Sequence, residues 1–319
     1  MTHDLLGFGL HYPVPHLPSR REFLTRATAL GSASLLGLTR PAAAEQALDT
    51  KRIRIPATPG LCVMPQYVAE AFLRTEGFTE VQYAKFRNIG PSPHISAGEA
   101  DMAMDAIGPV ITQIDSGQPL VMLAGIHLGC YELFVGERVR AIRDLKGKRI
   151  PINGFGGPQH VFLSAILGYL GLDPRKDVEW IEAGYPQGMQ LFVDGNADAY
   201  LGFPPEPQEL RAKRVGRVLI NTATDKPWSQ YYCCVLVAHR DYVGQYPAAT
   251  KRALRAFLKA TDLCAQDPQR TADQIVDRRF AANFDYANNA LNQVRYDAGV
   301  RTTRRTRCAS THCACTTCA

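Results

Sequence analysis

The chain has 319 residues, 46% of them hydrophobic and 21% charged, which gives apolar surface for a sizeable core and length for about two domains. Disorder is thereby excluded for most of it. A membrane-spanning helix is excluded too, because no apolar run reaches about 18 residues outside the leading segment. The net charge of +6 and the nine cysteines would suggest nucleic acid, metal or disulfides. The charge, however, sits at the ends: +2 over 1–44, +4 over 298–319, and 28 basic against 28 acidic residues between them. Four of the nine cysteines share the last stretch. The body is neutral, and no nucleic-acid partner is expected.

Residues 1–44 read as an export address. Ser19-Arg20-Arg21-Glu22-Phe23-Leu24 precedes a mildly apolar run, Ala27 to Leu38, and Ala42-Ala43-Ala44 ends it. A charged start, an apolar middle and small residues at the cut form the layout of a secretion signal. The arginine pair before Phe-Leu resembles the twin-arginine signal of bacteria. Cleavage is expected after Ala44, with a mature protein in the periplasm.

The body alternates short apolar runs with helical patterns, as α/β proteins do. Strands are expected at Lys51 to Ala57, Glu80 to Lys85, Asp101 to Ala106, Pro119 to Ile126 and Tyr131 to Val135. The fourth is apolar throughout, which predicts burial on both faces. Helices are expected over Pro65 to Arg74, with proline at its start, and Pro109 to Ile114. A second cycle follows with strands at Arg149 to Ile152, Val178 to Ile181, Ala197 to Leu201, Val218 to Asn221 and Cys233 to Ala238. Between them lie a helix spanning Val161 to Leu170, another at Pro186 to Val193, and the amphipathic Ala248 to Cys264. Two α/β units and closing helices imply two lobes around a cleft, and no internal repeat is evident.

The tail from 298 to 319 offers Cys308, His312, Cys313, Cys315 and Cys318, but in no standard zinc spacing. Read in a shifted frame, GC-rich codons for the same stretch can spell an amphipathic helix with a start signal. The tail is therefore expected to be the product of a frameshift. Sequencing the gene tests this, and an intact frame encoding these cysteines refutes it.

Five strings in order resemble the nitrate/sulfonate/taurine-type substrate-binding proteins of ABC importers. They are Met64-Pro65-Gln66-Tyr67-Val68-Ala69-Glu70, Glu76 to Val81, Gly98 to Ala103, Asp144 to Lys148 and Gly195 to Tyr200. The resemblance covers roughly Ile53 to Phe280. It implies a type II periplasmic-binding-protein fold, α/β, with two lobes, a ligand cleft and hinge crossovers near Leu120 to Val135 and Tyr231 to Ala238. The lobes then divide as 45–129, 130–230 and a return over 231–297. It also implies a monomer that hands a small ligand to a membrane permease and its ATPase, with the twin-arginine translocase serving export and with no cofactor or metal.

In such a fold, ligand groups sit on loops at strand ends and at helix starts, where free N–H groups meet anions. This reasoning selects Gly60 and Cys62 after the first strand, and Asp105 at the end of the third. His127 and Cys130 lie near the first crossover. Gly156, Gly157, Gln159 and His160 belong to a glycine-rich loop that opens a helix. Tyr185, Phe203 and Glu206 follow later strands, and Trp228 and Tyr231 could form an aromatic wall. No G-x-S-x-G, H-E-x-x-H or lysine-bearing phosphate loop occurs, so catalysis is not expected. The alternative is an enzyme on the same fold using a Cys/His site such as Cys130 with His127. Such an enzyme would resemble the thiamin pyrimidine synthase or a sulfinate-cleaving enzyme. The synthase's cysteine-rich motif is not visible, and Cys233-Cys234 reads as buried filler.

Overall fold

A computed structural model describes residues 46–85, 87 and 90–296. The export segment and the suspect tail lie outside the described residues. The chain divides between Ala47 and Leu48, and every strand and helix described lies after that point. None of these helices is long and apolar enough to cross a membrane.

The first lobe starts with β1 (Arg52–Pro56), whose Ile53 and Ile55 are fully buried while its arginines face outward. It pairs in parallel with β2 (Glu80–Ala84), from Arg52 opposite Glu80 to Pro56 opposite Ala84. Between them runs α1 (Met64–Thr75), with Pro65 in its first turn and Tyr67, Val68 and Leu73 buried. After α2 (Ser92–Ser96) come β3 (Met102–Ala106), α3 (Ile107–Asp115) and β4 (Leu120–Leu128). The last strand, β10 (Tyr232–His239), lies between β3 and β4 and is antiparallel to both. The two-faced burial expected for the fourth strand is not found: Met122 is exposed, and Val121, Leu123 and Gly125 are only half-buried. An antiparallel strand can leave one face partly open, which the apolar run conceals.

The second lobe repeats the plan. Its β5 (Glu132–Val135) lies between β8 (Ala199–Gly202) and β9 (Arg217–Asn221), antiparallel to each. Beside it β6 (Lys148–Ile152) pairs in parallel with β7 (Val178–Glu182), and α4 (Pro158–Tyr169) connects them. The helices α5 (Gln187–Val193) and α6 (Glu206–Lys213) complete the lobe. The chain then returns through β10 to α7 (Arg240–Gln245), α8 (Pro247–Gln266), α9 (Pro268–Asp277) and α10 (Phe284–Gln293). The helices α2, α6, α7, α9 and α10 escaped the sequence pattern because they are short or polar.

One device serves both lobes, although the sequence showed no repeat. Asp101 ends the string Gly98-Glu99-Ala100-Asp101, and its carboxylate accepts the Arg54 backbone N–H at 2.7 Å while its own N–H donates to Arg54 O at 2.9 Å. Asp198 ends Gly195-Asn196-Ala197-Asp198 and does the same with Arg149, at 3.0 and 2.9 Å. Each aspartate thereby ties the entry of one strand, β3 or β8, to another strand of its lobe, β1 or β6. A buried amide adds to this in the first lobe, where Gln66 Nε2 donates to Pro56 O (2.9 Å) and Oε1 accepts from Met104 N (3.0 Å).

At the end of α1, Glu76 fastens that helix to α8. Its carboxylate accepts from Arg255 Nε and Nη2 and from Lys259 Nζ at 2.9 Å, and these cations hold its pKa down to about 2. Glu76→Gln is expected to destabilise the protein by about 1.5–3 kcal/mol at pH 7, the range for hydrogen bonds to charged groups. Because the folded pKa is depressed, this contribution is present above the ordinary carboxylate value and disappears as the pH falls toward 2. Urea unfolding of both proteins at pH 7 and pH 3 checks it: the gap must narrow at the lower pH.

Candidate ligand-binding site

A cavity of about 550 Å³ opens between the two lobes. The first lobe contributes the turn after β1, with Thr58, Pro59 and Cys62, the start of α2 at Gly90 and Pro91, and Asp105 at the end of β3. From the second lobe come the loop from Asn153 to Gln159, Glu182 at the end of β7, and Tyr185 and Phe203. Tyr131 and Cys234 line it from the crossings. Apart from Tyr131 and Cys234, these positions lie at or after strand ends, where open α/β sheets present their loops.

Asp105 is 3% exposed and accepts three hydrogen bonds: from the Ser92 N–H at 2.8 Å, from the Ser92 hydroxyl, and from the Ala106 N–H at 2.7 Å. Burial outweighs these bonds and pushes its carboxyl up to about 6, so at neutral pH it is mostly ionised. Glu182 is the other acid of the lining. Among the described lining residues there is no lysine or arginine. Opposite Asp105 stands the start of α4, with Pro158 in the first turn and Gly157 before it. The first-turn N–H groups of a helix have no partner within the helix and carry partial positive charge. Gln159, 1% exposed, carries both amide atoms into the wall without a hydrogen-bond partner.

The aromatic wall is built from residues other than the expected pair. Tyr185 stacks on Phe203 with ring centroids 5.8 Å apart, and Tyr131 meets Phe203 edge-on at 6.0 Å. Phe155, in the glycine loop, is exposed into the opening. Trp228 instead packs edge-on against Tyr169, and Tyr231 faces solvent; neither lines the cavity.

Seven of the residues selected from sequence line the cavity: Cys62, Asp105, Gly156, Gly157, Gln159, Tyr185 and Phe203. The other selected residues take supporting places. Gly60 lies against Phe203, whose ring a β-carbon there would meet at 3.0 Å. His160 accepts the Gly156 N–H at 3.1 Å and sits between Phe155 and Trp180, shaping the glycine loop. Glu206 is buried beneath the wall, where its oxygens accept the Tyr200 hydroxyl and the Phe203 N–H (3.1 Å). His127 and Cys130 are buried behind the floor rather than in it. Tyr131, Phe155 and Glu182 were missed. A lone aromatic between glycines was the available signal for Phe155.

The lobes touch across the mouth where α3 meets α4: a β-carbon on Gly108 would lie 2.9 Å from Val161 Cγ1. Gly108→Leu is expected to wedge this contact and weaken ligand affinity by roughly 10-fold, with the fold retained, since the closed form becomes less populated. Calorimetric titration with circular dichroism as the folding control checks it.

Residues 63–271 match the family model described as NMT1/THI5 like. No curated protein sequence matches the chain. Among solved structures, the chain is similar to the alkanesulfonate-binding protein from Xanthomonas axonopodis pv. citri bound to MOPS. The TM-score is 0.66 at 18% identity, covering 77% of this chain and 85% of that one. It is also similar to the periplasmic nitrate-binding protein from Synechocystis, with a TM-score of 0.62 at 17% identity over 75% and 69% of the two chains. A Candida albicans gene product with the generic periplasmic-binding-protein fold gives 0.61 at 13% identity, over 77% and 81%. At such identities the likeness establishes the fold, a periplasmic-binding-protein architecture of two α/β lobes. The family match spans most of the described residues, and the chain belongs to the NMT1/THI5-like family.

Proposed function

We propose that the protein is the substrate-binding component of an ABC importer, exported through the twin-arginine translocase to the periplasm. There it acts as a monomer, closes its lobes on a small organic ligand and delivers it to a membrane permease with its ATPase. The observation that carries this reading is the cavity of about 550 Å³ walled by both lobes, with aromatic faces and a few polar groups. The family, and the sulfonate- and nitrate-binding proteins that share the fold, support it.

The lining narrows the ligand within the sulfonate, nitrate and taurine class. A bare anion such as nitrate would face Asp105 and Glu182 with no cation among the described lining residues to offset them. A ligand with a protonated amine beside an anionic group, as in taurine, fits both poles. Its ammonium pairs with Asp105, and its anion meets the first turn of α4. Thermal-shift screening followed by calorimetry over taurine, alkanesulfonates lacking an amine, nitrate and pyrimidines tests this. Amine-bearing anions should bind, and Asp105→Asn should weaken them by about 10-fold or more. Tight binding of nitrate, undisturbed by that substitution, overturns the ligand assignment.

A second reading, an enzyme on the same fold, has one observation in its favour: the Cys62 and Cys234 thiols lie in the cavity lining. Product formation from any bound ligand favours it; binding without turnover favours the transporter component.

A further inference from the structure

Behind the cavity floor the fold gathers sulfur. Cys62 comes from the turn after β1, His127 from the end of β4, Cys130 from the first crossing, and Cys233 and Cys234 from β10. The ligating atoms of Cys62, His127 and Cys130 lie within 4.8 Å of one another, as do those of His127, Cys233 and Cys234. Cys234 also faces Cys62 and Cys130, and Cys130 Sγ is 3.0 Å from Cys233 Sγ. All four cysteines are free thiols and none of the five residues is more than 6% exposed.

Two features separate this cluster from ordinary packing. Neighbouring residues of a regular strand point to opposite faces. The register of β10 shifts on both sides of Cys234, an irregularity of the kind that re-aims side chains, and both Cys233 and Cys234 reach His127. The second feature is His127 itself, which is fully buried. Its Nδ1 lies 3.3 Å from the Leu128 carbonyl, while Nε2 has no hydrogen-bond partner. A buried nitrogen left unpaired is costly. A histidine grouped with thiols, one nitrogen held by a carbonyl and the other left unpaired, has the arrangement of a metal ligand.

We propose that Cys62, His127, Cys130 and Cys234 form a tetrahedral Cys₃His site for a zinc-type cation, with the Cys233 thiol donating to the Cys130 sulfur. Three thiol protons leave as the dication enters, the imidazole binds neutral through Nε2, and no oxidant is consumed. Cys62 and Cys234 are also lining residues, so the cation sits in the floor of the cavity. It joins the turn after β1, the first crossing and the returning strand, three segments that meet where the lobes hinge. The site is independent of which ligand occupies the cleft.

The test uses full-length protein, reduced and stripped with a chelator, then titrated with Co²⁺ and Zn²⁺. Cys308, Cys313, Cys315 and Cys318 offer thiolates of their own, so a variant with these four replaced by serine is run in parallel. That variant should bind one equivalent of Co²⁺ with thiolate charge-transfer bands and the intense visible bands of a tetrahedral site. Zn²⁺ should displace the cobalt and raise the melting temperature by about 10 °C. Adding Cys62→Ser and Cys234→Ser should weaken binding by at least about 100-fold. Cys264→Ser, at a buried thiol in α8, should leave it unchanged. If the double substitution fails to fold, X-ray absorption on the zinc-loaded tail variant decides: three sulfurs and one nitrogen support the site, and any other set overturns it. Absence of cobalt bands in the folded, reduced tail variant overturns it, as does a metal-free protein isolated with a Cys130–Cys233 disulfide.

Discussion

Gly129→Ala is expected to destabilise the protein by at least about 3 kcal/mol and to lower its melting temperature by about 10 °C. Gly129 follows β4, at the first crossing between lobes, with a φ of +30°. A β-carbon there would lie 2.1 Å from the Thr222 carbonyl oxygen, 2.4 Å from its carbon and 2.6 Å from Ala223 Cα. These are backbone atoms of the segment that follows β9, so no side chain can rotate aside. Moving either segment would also disturb the bonds that tie them, Tyr131 N–H to Thr222 Oγ1 and Thr222 N–H to Tyr131 O, both 2.9 Å. Differential scanning calorimetry measures the loss. Gly244→Ala is the contrast, because its site in α7 has open space and an ordinary φ, and alanine there should be neutral or stabilising by up to about 1 kcal/mol. A Gly129→Ala protein as stable as the parent would show that the first crossing and the segment after β9 are not locked together.

Stability should fall as the pH rises from 5 to 8, by up to about 4 kcal/mol, because of Glu206 alone. Burial under the aromatic wall pushes its carboxyl up to about 8, from an ordinary 4.5. Between those values the folded protein holds a proton that the unfolded chain has released. The stabilisation is therefore complete below the unfolded value and is lost as the pH passes through the folded one. Glu206→Gln keeps the shape, remains neutral and should flatten the profile, leaving the variant the more stable protein at pH 8. Urea unfolding of both proteins across this range reads the slope, and parallel profiles refute the assignment.

The strands were legible in the sequence because each lobe writes them as short apolar runs between turn residues. The strings holding Asp101 and Asp198 were visible as resemblance, and the geometry gives the reason for them: a carboxylate one residue before a strand binds the backbone of another strand of its lobe. Asp105 and the glycine loop were found by the rule that sites follow strand ends. Periodicity could not reveal what depends on packing between distant segments. Tyr131 lines the cavity only because the crossing turns it there, and Glu206 left the lining because Tyr200 and Phe203 satisfy it from within the lobe. Cys233-Cys234 read as filler because strand alternation separates neighbours, and the irregularity in β10 cancels that separation.

The place of β10 in its sheet bears on how the chain comes to be folded. Among the described residues β3 and β4 are not paired with each other; each pairs along its length with β10, which is synthesised about a hundred residues later, after the whole second lobe. The second lobe, by contrast, contains all of its own strand partners. Emerging from the ribosome, the earlier lobe must wait with a gap in its sheet while the later one closes first. Such non-local pairing carries a loop-closure penalty and slows folding. The amino-terminal half therefore passes through a stage with two open strand edges, and that stage is where a chaperone would find its hold.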